Sequence, residues 1–324
     1  MRTTDTIAIT GAAGFIGSYL VGHLNRLGFQ NLVLVDDFSN PAKAKNLEGK
    51  TYREQVNRDD FFAWANGNAI QHIFHLGART DTTEMDYEVH KRLNLDYSKK
   101  VWQLCIEQNI PLVYASSAAT YGNGEFGYKD SHEIVEQLAP LNPYGRSKNE
   151  FDIWALSQKE TPPFWVGLKF FNVYGPNEYH KGRMASVIFH AYRQIKNNGK
   201  VKLFRSHNPE YRDGEQMRDF IYVIDIVSIC LWLMEKMPAS GLYNAGTGKA
   251  ETFKSLVTAI FDTLSIPVNI EYIDTPADIR DKYQYFTEAD MSKLRAAGYD
   301  RPFQSLQAGI NGYVGEFLEK GLYF

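Results

Sequence analysis

Cysteine is almost missing from this sequence. Cys105 and Cys230 are the two in 324 residues. Both sit in apolar helical patterns and neither has a metal-ligand spacing, so a disulfide scaffold is excluded and two buried thiols in a reducing compartment are expected. His180 and His190 lack nearby partner ligands, and no metal site is expected. No apolar run approaches the roughly 18 residues a membrane-spanning helix needs. A signal-peptide pattern is also missing: Asp5 follows Arg2, and the apolar run 7–9 leads into glycine-rich sequence. The matching expectation is a cytoplasmic protein with no membrane partner. Nor does one sign of charge dominate. Lys and Arg total 35 against 38 Asp and Glu, a formal charge of -3, which argues against nucleic acid as the main partner.

What is present is apolar and aromatic. Hydrophobic residues make up 44% and aromatics 14%, enough for a large core beside a smaller one. The first half alternates strands and helices. Apolar runs at 6–10, 31–36, 71–76, 110–115 and 164–171 read as buried strands. Helical stripes lie at 15–27, 87–108 and 142–159. Strands without clean polar alternation, separated by helices, predict a parallel sheet covered on both faces. The fold class expected is α/β: a doubly wound Rossmann-like sheet with a smaller, discontinuous α/β substrate domain. Residues 1–172 plus 213–242 are assigned to the dinucleotide-binding domain, and 173–212 plus 243–324 to the substrate domain. Beyond residue 172, strands are expected at 200–204, 241–246 and 268–273, with helices at 184–197, after 251, near 289–296 and at 303–319.

Gly11, Gly14 and Gly17 stand between the first strand and first helix as GxxGxxG. Such a turn brings backbone amides and a helix N-terminus against a pyrophosphate. Asp36 ends the second strand, where a carboxylate can accept the adenosine ribose hydroxyls. That favours NAD, because a 2′-phosphate beside it is repelled. Lys43 and Arg58 can neutralise such a phosphate, and Asp37 opposes them, so charge alone leaves NAD and NADP both open.

Tyr144 and Lys148 form YxxxK in a helical run, and the i,i+4 spacing stacks them on one face. A tyrosine hydroxyl titrates near ~10 and needs a neighbouring ammonium to act at neutral pH. Ser117 closes a parallel strand, at the sheet edge where ligands bind. The three can move a proton while a hydride moves to a nicotinamide.

The stretches TGAAGFIGS (10–18), YASSAATYG (114–122), NPYGRSK (142–148), FNVYGPNEYHKGRMAS (171–186), RDFIYVIDI (218–226), YNAGTG (243–248) and DKYQYFTEADMSKLRAAGYD (281–300) resemble the extended short-chain dehydrogenase/reductases. Within them the resemblance is to the ADP-L-glycero-D-manno-heptose 6-epimerase family, over nearly the whole chain, and residues 179–186 carry it most narrowly. The resemblance implies epimerisation at C6 of an ADP-heptose, for lipopolysaccharide core synthesis. It implies one tightly bound NADP per subunit, with NAD as rival, and a homo-oligomer of pentamer size or larger. It implies Tyr144 and Lys181 as acid/base groups on opposite faces of the sugar, Ser117 as the assisting hydroxyl and Lys148 as the cofactor-positioning lysine. Cofactor contacts fall on Phe15, Ile16, Asp36, Asp37, Lys43, Arg58, Leu76, Gly77, Ala78, Arg79, Thr80, Asn94, Lys148, Val173 and Lys181. Substrate contacts fall on Asn172, Arg183, His190, Phe204, Arg205, Ser206, His207, Arg218 and Tyr283. Two features depart from the family pattern: Asp37 replaces an asparagine, and residues 207–216 read as an insertion.

Other readings share parts of this pattern. A UDP-hexose 4-epimerase needs Ser117, Tyr144 and Lys148 but not Lys181. A 4,6-dehydratase needs an acidic pair where Ala118 and Ala119 stand. A silent cofactor-binding scaffold needs none of the three.

Overall fold

The computed structural model describes residues 1–276, 280 and 283–324. Asp281 and Lys282, which open one of the motif stretches, lie outside the described residues. The strands in chain order are β1 (Ile7–Thr10), β2 (Leu32–Asp36), β3 (Glu54–Asn57), β4 (His72–His75), β5 (Leu112–Ser117), β6 (Trp165–Phe170), β7 (Asn172–Tyr174), β8 (Val201–Phe204), β9 (Met217–Tyr222), β10 (Gly241–Ala245), β11 (Ala250–Thr252) and β12 (Ile270–Ile273). Seven of them form one sheet in the order β3-β2-β1-β4-β5-β6-β10. Every neighbouring pair in it is parallel.

The strands read as unbroken apolar runs because successive residues feed opposite cores. Ile7 and Ile9 enter one core and Ala8 the other; Leu32 and Leu34 are likewise divided from Val33 and Val35. Helices Phe15–Arg26 and Val223–Lys236 pack together in the first core. Helices Tyr97–Glu107 and Pro143–Ser157 contribute to the second. The chain winds outward from β1 in both directions, so the β1/β4 boundary is a switch point with a crevice at the strands' C-terminal ends.

The remaining strands form two small sheets. One has the order β11-β9-β7 and the other pairs β12 with β8. The expected segment boundaries need adjustment here. Strand β10 crosses 242/243 and pairs with β6 along its whole length. The 172/173 boundary falls inside β7, and β9 pairs with β7 and β11, not with the large sheet. These strands are too short for a periodicity to place. Strand β3 was also unanticipated: in EQVN only Val56 is buried, so its run has no apolar signature.

The helix expected at 87–108 forms over Tyr87–Glu107, interrupted by a π-helical stretch at Lys91–Asp96. The segment 184–197 begins its α-helix later, at Val187, because Gly182 breaks the preceding 3-10 turn with φ +53°. Cys105 and Cys230 are buried and unpaired. Among the described residues no helix is long and apolar enough to cross a membrane, and no cluster has the makings of a metal site.

Candidate active site

Two cavities adjoin at the C-terminal edge of the large sheet, about 350 and 300 Å³ in volume. Phe15, Ile16, Leu76, Ala78, Thr80, Lys181 and Met184 line both, so this set is their common wall.

The first cavity lies over β1, β2 and β4. Gly11 sits at φ +71°, and a Cβ there would stand 2.7 Å from the Gly77 backbone. A Cβ on Gly17 would come within 2.1 Å of the Gly11 carbonyl oxygen. Close approach of two backbones therefore requires glycine at both positions. Gly14 caps the following helix without a side-chain bond, and no acidic residue occupies the first turn. Its leading amides are available to an anion.

Asp36 is buried at the end of β2. Its Oδ2 accepts from the Ala13 amide at 2.9 Å, and its Oδ1 from the Asp37 amide at 2.7 Å and Lys43 Nζ at 2.9 Å. Lys43 and Arg58 both line the cavity. Asp37 does not; it pairs with Arg58 at 3.2 Å, and bonds from Ser39 hold its carboxyl below the usual range.

The second cavity lies over β5 and β6. Ser117 closes β5, and Tyr144 and Lys148 occupy successive turns of the helix Pro143–Ser157. That helix starts where it does because Pro143 sets the first turn and Asn142 Oδ1 accepts from the Gly145 amide at 2.8 Å. Lys148 is buried and donates to the Ala115 carbonyl at 2.7 Å. Burial pushes its pKa down to about 8. Burial raises the Tyr144 hydroxyl, while its bond with Ser117 opposes that rise. Lys181 Nζ stands 5.4 Å from the Phe15 ring centroid, and burial holds its pKa below the ordinary lysine value despite nearby Glu178. Ser117, Tyr144, Lys148, Asn172, Val173 and Lys181 thus face one cavity.

The other expected residues are spread around this centre. Lys148 and Val173 line the second cavity and not the first. Asn94 reaches neither. It is fully buried, accepting from the Arg79 amide at 2.7 Å and donating to the Arg79 carbonyl at 3.0 Å. It therefore shapes the 76–80 loop that lines the first cavity. Arg183 is exposed and turned to Asp81 at 3.4 Å, and His190 Nε2 lies 3.3 Å from the Arg183 carbonyl oxygen.

Phe204, Arg205, Ser206, His207, Arg218 and Tyr283 belong to neither cavity lining. Four of them form an aromatic group. The Arg218 guanidinium lies 5.7 Å from the ring centroids of both Tyr283 and Phe253, and Tyr283 meets Phe204 at 6.1 Å and His207 at 6.3 Å. Arg205 instead pairs with Asp274 at 3.1 Å. The Ser206 amide donates to Asp213 at 2.8 Å.

Several supporting residues were missed. Lys169 and Asp152 form a buried ion pair at 2.7 Å, with Asp152 also accepting from Ser116 at 2.6 Å and Tyr114 at 3.0 Å. The signals were available: a lysine inside an apolar strand, and an aspartate four residues beyond Lys148. His75 bridges Thr10 at 2.6 Å and Ser98 at 2.8 Å, and burial lowers its pKa to about 3. Asn40, Leu93 and Tyr97 line the first cavity without any sequence pattern that marks them, and Met184, inside the 179–186 stretch, lines it without having been assigned a role.

A dinucleotide fits this frame. The glycine turn leaves its space to a ligand backbone, the helix amides are uncapped by any side chain, and a carboxylate ends β2. A Rossmann-type site with Ser, Tyr and Lys on its second cavity is that of a nicotinamide-dependent short-chain dehydrogenase-like enzyme. Residues 7–246 match the NAD dependent epimerase/dehydratase family, and the chain belongs to that family. It is 45% identical to an ADP-L-glycero-D-manno-heptose-6-epimerase of Fusobacterium nucleatum, covering 97% of this chain and 98% of that protein. It is 46% identical to the enzyme of that name from Nitratidesulfovibrio vulgaris, covering 96% and 97%. The solved structure of the Helicobacter pylori ADP-L-glycero-D-manno-heptose-6-epimerase superposes with a TM-score of 0.81 at 28% identity, covering 98% of this chain and 99% of that one.

Proposed function

We propose that this protein inverts C6 of the heptose in ADP-D-glycero-β-D-manno-heptose to give the ADP-L-glycero epimer. The observation that carries the reading is the joint exposure of Tyr144 and Lys181 to one cavity. A bound nicotinamide supplies a hydride acceptor and then a hydride donor, so the net reaction has no redox change. Gly11, Gly14, Gly17, Asp36, Lys43 and the 76–80 loop would hold it. The protein's own task is to move a proton at the C6 oxygen from either side. Tyr144 does so on one face, with Ser117 bonded to its hydroxyl and Lys148 one turn below. Lys181 does so on the other, where burial favours its neutral amine over the charged form. Arg218 and its aromatic surroundings take the nucleotide end.

The cofactor is proposed to be NADP, one per chain. Asp36 is already engaged by Lys43 and two amides, so a 2′-phosphate would not meet a bare carboxylate. The chain is divided functionally at the sheet edge: the large sheet holds cofactor, and the small sheets hold the nucleotide sugar. A cytoplasmic homo-oligomer completes the reading; sedimentation as a stable monomer would remove the last part.

The decisive test supplies each C6 epimer separately to the purified, cofactor-loaded protein and follows the heptose by NMR. Interconversion from both sides is expected. No turnover of either epimer, with cofactor bound, rejects the reading. A 4-epimerase is separated by Lys181→Met, which that chemistry should tolerate.

A further inference from the structure

Lys181 stands in the loop after β7, within a 3-10 turn over Tyr179–Met184 that is broken at Gly182. Asn177 adopts φ +76° and Gly182 φ +53°. Within the loop, buried Glu178 accepts from the Ser186 amide at 2.5 Å and hydroxyl at 2.6 Å, and the Lys181 amide donates to the Glu178 carbonyl at 3.0 Å. These bonds set the shape of the loop, but they do not attach it to the first helix, Phe15–Arg26, which lines both cavities through Phe15 and Ile16.

Residues 322–324 help make that attachment. The Phe324 amide donates to Asn177 Oδ1 at 2.9 Å, and Asn177 Nδ2 reaches the Phe324 carbonyl at 3.3 Å. The Tyr179 hydroxyl donates to the Leu322 carbonyl at 2.9 Å, and its ring meets Tyr323 edge-on at 4.8 Å. On its other side Phe324 is seated on the first Rossmann helix. Its ring stacks on Tyr19 at 3.8 Å and 14°, with the Arg26 guanidinium 3.9 Å from its centroid. Lys50 Nζ donates to the Phe324 carbonyl at 2.5 Å. The helix surface is shaped for the ring: a Cβ on Gly22 would lie 3.1 Å from it. Asn177 Nδ2 also bonds Ser18 Oγ at 3.0 Å, and Asn46 ties the Asn177 carbonyl at 3.1 Å to the Ala13 carbonyl at 2.9 Å.

We propose that Leu322–Phe324 is a strap that positions Lys181, with Phe324 and Asn177 as its two positioning residues. By clamping Asn177 and Tyr179 to the first helix, the strap holds the lysine at the wall shared by the two cavities. The inference rests on the proposed role of Lys181. It explains how an irregular loop keeps an amine in register with a rigid sheet edge.

The test uses the full chain with cofactor bound. Phe324→Ala removes the stack, and Phe324→Tyr keeps it. Asn177→Gly keeps the left-handed backbone and removes the side-chain bonds. Lys181→Met runs beside them. Phe324→Ala and Asn177→Gly are each expected to lower kcat about tenfold with little change in KM, as misplacement of one reacting group does. Loosening the loop exposes Lys181, which Glu178 and His180 flank, so the limb of the pH–rate profile that reports it moves to higher pH. Amide exchange across 178–184 should accelerate, and Phe324→Tyr should restore all three. Faster exchange with kcat and the pH limb unchanged overturns the strap as a positioning device. So does wild-type exchange in both variants. Should one variant fail to fold, the other decides. Wild-type epimerisation by Lys181→Met overturns the functional reading and the strap together; an inactive Lys181→Met beside unaffected strap variants overturns the strap alone.

Discussion

The two walls of the second cavity are built by different means. On one, Ser117 ends a strand and Tyr144 and Lys148 ride a capped helix. Helix and strand are joined beneath them by Asp152, which takes Ser116, Tyr114 and Lys169 at 2.6 to 3.0 Å. On the other, Lys181 rides a loop bonded by the side chains of Asn46, Asn177 and Tyr179, the last two to main-chain groups of residues 322–324. The difference teaches that one reactive centre can be half lattice and half strap. Backbone ladders are cooperative and open only with the domain, whereas a strap can open locally. The Tyr144 wall should respond to mutation in stability and chemistry together, and the Lys181 wall in chemistry alone.

The largest effects test whether both walls act. Tyr144→Phe and Lys181→Met should each lower epimerisation by ~10²–10⁴-fold, the contribution of a positioned acid or base. Both should fold and keep cofactor, as circular dichroism and released-ligand mass spectrometry would check. A retained rate in one of them would reduce the comparison to a single working wall.

Next in size is the lattice itself. Lys169→Met strands the Asp152 carboxylate in a site where both partners are essentially buried. A loss of ~3–5 kcal/mol is expected, read by urea unfolding at fixed cofactor concentration. The double change with Asp152→Leu should recover much of it. A loss below about 1 kcal/mol, the scale of an exposed pair, would mean the lattice is not what holds this wall.

Smaller effects fall at the cavity's cofactor end and on Lys148. Lys43→Ala should weaken NADP about tenfold relative to NAD, since one charge contact to phosphate is removed. Equal weakening of both would return Lys43 to a partner of Asp36 only. The smallest effect concerns Lys148. Its pKa is about 8 folded against 10.5 ordinarily, so between those values the unfolded chain binds more protons and stability rises with pH. Below pH 8 the full cost of burying the cation is present. Lys148→Met should therefore stabilise by about 1 kcal/mol at pH 7, after loss of the bond to Ala115. The gain should fade toward pH 10.5. A constant gain across that range would show that the amine is not desolvated.

Much of this site was legible before folding. GxxGxxG, the strand-end Asp36 and the i,i+4 pair Tyr144/Lys148 are local, and their spacing alone puts them on a turn, an edge and a face. The expected strands of the large sheet were legible for the same reason, apart from β3 at its polar edge. The strands β7, β9 and β11 were not, because three to six residues shared between small sheets carry no period of their own. Asn94 was legible as a helix residue whose amide can hold nearby backbone; that the backbone is Arg79's was decided by the fold. Phe324 was invisible altogether, since its partners Tyr19, Arg26 and Asn177 are distant in the chain.

By itself, then, the amino-acid order determined the α/β class, the glycine turn, the carboxylate that ends β2 and the tyrosine–lysine face, all interactions between residues a few positions apart. It also carried the resemblance that singled out Lys181. Only the tertiary structure decided that Lys181 shares a cavity with Tyr144, that Asp36 is already held by Lys43, that Arg218 sits in a separate aromatic group, and that residues 322–324 clamp the Lys181 loop. Apart from the Asp36–Lys43 pair, whose partners are 7 residues apart, those are contacts between segments tens to hundreds of residues apart. Local propensity has no bearing on them; the burial of two cores around one twisted sheet brings them together.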